Sequence, residues 1–124
     1  MRKLTIAATA ASAAFAGVLA VAPAASAEAN PPGCGKGYFC IYSGEDETGT
    51  LVKKTYGNWS GSVSGRSVFN NGVPDPGADH IQLTWTYNGS TWSDCLHYNP
   101  GPGEYKWNFV SGVVFKKAVW RGEC

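Results

Sequence analysis

The chain has 124 residues and a formal net charge of +1, with 16 glycines, 7 prolines, five tryptophans and six tyrosines. That length fits one domain behind a leader. Its lysines and arginines are too few and too scattered for phosphate recognition, so no nucleic-acid partner is expected.

Residues 1–27 read as a secretory signal peptide. Arg2 and Lys3 precede an apolar, Ala-rich run from Leu4 to Ala22, and Ala25-Ser26-Ala27 has the form of a cleavage site. The run is diluted by Ala, Ser and Thr and no basic stop-transfer cluster follows it, which disfavours a membrane anchor. Cleavage before Glu28 leaves eight basic and nine acidic residues. The product is expected to be extracellular, free of the membrane and monomeric. Residues 28–37 read as a flexible leader and residues 38–124 as the folded domain. Cys34, Cys40, Cys95 and Cys124 all follow the cleavage site. An even count in a small exported domain reads as disulfides, and the lack of C-x-x-C spacing argues against zinc. Of three possible pairings, the turn Gly35-Lys36-Gly37 favours Cys34–Cys40. Cys95–Cys124 then ties the last residue back to the sheet.

Abundant Gly, Pro and aromatic residues, without helical periodicity, predict an all-β fold of short strands and tight turns. Tyr38 to Tyr42 reads as the first strand, Ser43 to Gly49 as an acidic turn and Leu51 to Tyr56 as the second strand. Gly57 to Gly65 reads as a Gly/Ser-rich loop, Arg66 to Asn70 as a short strand and Asn71 to Asp79 as a long turn. From His80 to Tyr87 apolar and polar residues strictly alternate, the mark of a half-buried strand. Asn88-Gly89 is a strong hairpin turn, and Ser90 to Tyr98 is the returning strand. A two-residue turn sets Trp85 opposite Trp92 and Ile81 opposite Leu96. Ile81, Leu83, Trp85, Trp92, Leu96 and Tyr98 are expected to form the buried face. Asn99 to Gly103 is a turn, followed by a strand at Tyr105, Trp107 and Phe109 and a last strand from Val113 to Trp120. Lys116-Lys117 and Lys53-Lys54 read as solvated strand faces. The segments Val63 to Phe69 and Val110 to Phe115 resemble each other, as do Cys40-Ile41 and Cys95-Leu96. Two halves built alike suggest two Greek-key units in a sandwich.

Gly37-Tyr38-Phe39-Cys40-Ile41-Tyr42 followed by Thr48-Gly49 resembles the start of small secreted actinobacterial proteins of the βγ-crystallin type. In such a fold Tyr42 and Gly49 bracket a folded hairpin, and Ser67 hydrogen-bonds over it. Ser67-Val68-Phe69-Asn70-Asn71 is similar to a Ser-Val-x-Asn stretch of the same family. That family comprises peptidase inhibitors and includes the Streptomyces metalloproteinase inhibitor. The resemblance implies a βγ-crystallin-like Greek-key β-sandwich that blocks an extracellular peptidase, more specifically a metallopeptidase. It also implies a reactive bond beside a disulfide-held cysteine, here Cys95-Leu96, with Leu96 as the bulky apolar residue that thermolysin-like enzymes favour. The hairpin reading buries Leu96, however. If it holds, Asn71 to Asp79 or Asn99 to Glu104 are the better-placed segments.

Other chemistry has weaker support. The crystallin calcium window falls on Ser62 to Ser67, where the acidic and amide positions are missing and Arg66 adds positive charge. Glu45-Asp46-Glu47 reads as an exposed turn. His80 and His97 face each other across the hairpin beside Asp79, roughly 5 Å apart at Cβ. They read as a pair on the polar face, so no metal or other cofactor is assigned. Asp79-His80 with a serine, or Ser93-Asp94 with His97, lacks a nucleophile elbow, and no enzyme activity is expected. A competing reading is a killer-toxin-like or antifungal protein whose exposed aromatics stack on glycans at a cell surface.

Overall fold

The computed structural model describes residues 26–124. All but the last two residues of the expected signal peptide lie outside them. Among the described residues no helix is long and apolar enough to cross a membrane.

Among the described residues six strands form one antiparallel sheet: β1 (Phe39–Tyr42), β2 (Leu51–Thr55), β3 (Trp59–Asn70), β4 (His80–Tyr87), β5 (Ser90–Leu96) and β6 (Lys106–Arg121). Their spatial order is β2-β1-β3-β6-β4-β5. Each half supplies a hairpin and one long strand, and the halves meet where β3 pairs with β6. The repeated segments are themselves paired there, Val63 opposite Phe115 and Gly65 opposite Val113. The sheet is folded over, not flat. The Asn99 N–H at the end of the second hairpin donates to the Asn70 carbonyl at the end of β3, at 3.0 Å. Phe39 and Ile41 of β1 share one core with Ile81 and Leu83 of β4, Leu96 of β5 and Phe115 of β6. This all-β arrangement is compatible with the crystallin-like Greek key.

The second hairpin has the expected register, with Ile81 opposite Leu96, Leu83 opposite Asp94 and Trp85 opposite Trp92. Asn88 and Gly89 both take positive φ, 50° and 79°. The disulfides are Cys34–Cys40 and Cys95–Cys124.

Four sequence expectations need correction. Gly57 to Gly65 is no loop beyond Asn58: Trp59 to Gly65 continues β3, because ladder bonds to β6 outweigh the weak strand preference of Gly and Ser. The two expected C-terminal strands are one, β6, with residues 109–112 bulged between the partners of Gly65 and Ser67. The expected buried face of the hairpin is only half right. Ile81, Leu83 and Leu96 are wholly buried, but Trp92 is 53% exposed. It lies on the edge strand β5, where residues 90–94 are all exposed. Finally, the expected flexible leader is anchored. The backbone of Glu28 exchanges hydrogen bonds with the Asn99 amide, and its carboxylate meets Tyr105 and Lys106. Hydrogen bonds from Lys106 and Tyr105 hold the Glu28 carboxyl below its ordinary value, against a smaller opposing effect of burial.

The first hairpin is fastened around Tyr42, Gly49 and Ser67. Gly49 has φ 76°, in the left-handed region that costs glycine least. Ser67 Oγ donates to the Gly44 carbonyl at 2.7 Å and accepts the Glu47 N–H at 3.0 Å, fastening the acidic turn over β3. The Tyr42 hydroxyl donates to Pro32, and burial, with the nearby Glu47 charge, pushes its pKa up to about 12. Burial likewise raises the pKa of Glu47. Ser67→Ala should leave a buried N–H and a carbonyl without a partner and lower unfolding stability by about 1–3 kcal/mol. Urea unfolding of the variant measures this directly; an unchanged midpoint would mean that the turn holds without its serine.

Candidate functional site

Three segments are candidates for contact with a partner, and their chemistry differs. The first is Cys95-Leu96. Cys95 is half-buried in β5 and disulfide-bonded to Cys124, with a Cα–Cα distance of 5.7 Å. Leu96 has no exposed surface and packs in the main core. A side chain with no exposure cannot enter an enzyme's specificity pocket without unfolding the strand. In this fold Leu96, the apolar half of the bond that the resemblance implied, therefore offers no accessible side chain. The cause is the hairpin register, which turns Leu96 inward opposite Ile81.

The second is the turn from Asn99 to Glu104. It is closed by the His97 N–H on the Glu104 carbonyl at 2.8 Å and rooted by Asn99, which is 1% exposed. The Asn99 amide donates to the Glu28 carbonyl and the Asn71 side chain. Pro102 and Glu104 face solvent, so the turn presents little apolar surface.

The third is Asn71 to Asp79. Both ends are buried and hydrogen-bonded. Asn71 donates its side-chain amide to Asn30 and to the Cys34 carbonyl, and its backbone exchanges bonds with Gly37 and Tyr38. The Asn70 side chain, also buried, donates to the Asp79 carbonyl and accepts the Gly72 N–H. At the far end Asp79 accepts the Asp75 N–H at 2.8 Å. Burial pushes the Asp79 carboxyl up, but hydrogen bonds from Asp75 and His80 outweigh it, and its pKa lies below the ordinary value. Between these clamps residues 73–78 are all exposed. Val73, 49% exposed, is the large apolar side chain that this loop offers to solvent.

The residues weighed for metal or catalysis also have definite places. Arg66 spans Glu45 at 2.6 Å and the carbonyls of Phe109 and Val110. The calcium window thus has its guanidinium and its Ser67 hydroxyl already engaged. His80 is not on a polar face: it is 2% exposed, because the end of β4 is covered by the loop before it and by the C-terminal tail. Its imidazole lies between Asp79 and His97, not beside a serine. Sequence reading missed one surface. Trp85, Tyr87, Trp92, Phe109 and Val110 line a shallow apolar cleft at the hairpin tip, with Val110 90% exposed on the β6 bulge. Period-two alternation cannot reveal which strand face lacks a cover, so no signal in the sequence marks it.

A disulfide-stapled β-domain with a solvent-facing loop clamped at both ends has a surface suited to binding. Residues 27–99 match peptidase inhibitor family I36, and the chain belongs to that family. It is a peptidase inhibitor and not an enzyme. The match spans β1 to β5 and the whole Asn71 to Asp79 loop. Neither a curated protein nor a solved structure matches the chain.

Proposed function

We propose that the protein is a secreted, stoichiometric inhibitor of a metallopeptidase, and that the loop Asn71 to Asp79 enters the enzyme's cleft. One observation carries this: an exposed run, Val73 to Ala78, is fixed at both ends by buried side chains. Such a segment loses little conformational entropy on binding. Pro74 and Pro76 restrict its backbone further. Val73 places a branched apolar side chain directly after the Gly72-Val73 bond, which suits the preference of thermolysin-like enzymes. The two disulfides fit an oxidising, extracellular setting.

The test is Val73→Asp in the mature protein, assayed against a thermolysin-type enzyme. Val73 is half exposed and outside both core clusters, so the fold should persist. Inhibition is expected to weaken by a factor of about 100, as for an anchor residue worth near 3 kcal/mol. Unchanged inhibition removes the loop from the contact. The exposed Trp92 and Tyr87 favour a second reading, a glycan-binding protein of toxin-like type. A glycan array separates the two: binding there with no effect on any peptidase would favour it.

A further inference from the structure

We propose that His80, His97 and Glu123 form a binding site for a divalent transition-metal ion of the zinc type. This goes beyond peptidase inhibition and does not depend on it. His80 Nδ1 lies 2.6 Å from Asp79 Oδ1. The carboxylate therefore holds the proton on Nδ1 and leaves Nε2 with a free lone pair. That Nε2 faces His97 Nδ1 at 2.9 Å and Glu123 Oε2 at 3.7 Å. Donors around a tetrahedral zinc ion with bonds of 2.0–2.1 Å stand about 3.3 Å apart, and both separations from His80 lie within about 0.4 Å of that.

The supporting shell is already built. A buried carboxylate behind a histidine is the usual device that orients a metal ligand and raises its basicity. Asp79 is 6% exposed and His80 2% exposed, and the contact between them orients the ring. His97 is seated against Gly103, where any Cβ would overlap the imidazole ring. Gly103 thus permits the ring position that brings Nδ1 to His80. Cys124 Sγ is close to both imidazoles, but it is held in the disulfide with Cys95 and offers no thiolate. Two nitrogens and one carboxylate leave a fourth position for water or an outside ligand, and the cluster opens to a cavity lined by Pro76, Tyr98 and Pro102. Without metal, one proton must sit between the two facing nitrogens. Binding the ion requires that proton to move, which a neutral imidazole does by passing to its other ring nitrogen. The ion would link β4, the residue that follows β5 and the C-terminal tail beside the Cys95–Cys124 bridge.

The test is titration of chelator-treated mature protein with zinc, followed by calorimetry, and with cobalt(II), followed by visible absorption. One ion per chain and a tetrahedral cobalt spectrum are expected. His97→Ala should weaken zinc binding about 100-fold or more, and Glu123→Gln about tenfold. Glu123 has a side chain 77% exposed, so its variant keeps the fold even if the histidine variant does not. No saturable binding by the unmodified protein, or an affinity unchanged from it in either variant, overturns the site.

Discussion

Phe115→Ala is expected to cost about 3–5 kcal/mol of unfolding free energy, the usual range for emptying a buried phenylalanine site. Phe115 has no exposed surface and sits in the central strand β6. It pairs with Val63 on one side and Trp85 on the other, so it belongs to both halves of the sheet. Its ring meets Phe109 edge to face at 5.2 Å between centroids. Truncation leaves a void at the seam where the two halves join, and nearby side chains cannot swing in without leaving their own contacts. For a domain of this size each kcal/mol moves the melting temperature by about 4–8 °C. The variant should therefore melt on the order of 15–30 °C lower, as followed by circular dichroism. A drop under about 5 °C would mean that the halves do not depend on a common core.

Replacing Cys95 and Cys124 together by serine is expected to cost about 3.6 kcal/mol. The two residues are 29 apart in sequence, and closing a loop of about 30 residues removes that much chain entropy from the unfolded state. The Cys34–Cys40 bridge spans only 6 positions, and the same relation gives about 2.4 kcal/mol for it. Denaturant unfolding of the two double variants tests the ranking. The long bridge also holds the C-terminal tail against the end of β5. Its loss should free Glu123 while leaving the Asn71 to Asp79 loop clamped by its own hydrogen bonds. Inhibition is then expected to fall less than stability does. If the short bridge proved more stabilising, loop entropy would not be what these bonds contribute.

Local chemistry made part of this fold legible. The alternation from His80 to Tyr87 and the Asn88-Gly89 turn specify a strand, a turn type and a register, and all three are found. The Gly-rich turn between Cys34 and Cys40 marked the short disulfide, and the even cysteine count left the long one. What the sequence hid was set by distant neighbours. Trp59 to Gly65 carries too much Gly and Ser to look like a strand, and only its ladder with β6 makes it one. Glu28 looks like leader, yet Asn99, Tyr105 and Lys106 fasten it from more than 70 positions away. His80 belongs by alternation to the polar face, but loop and tail close over the end of β4 and bury it. The same long-range packing decides the candidate site. Leu96 was legible as a core residue and also as the apolar half of a reactive bond, and packing buries it in the core.

Titration of a thermolysin-type metallopeptidase with the purified mature protein tests the central claim most directly. Activity is expected to fall linearly with added protein and reach its floor near one inhibitor per enzyme, with the inhibitor recovered intact. Full activity at tenfold molar excess would contradict it.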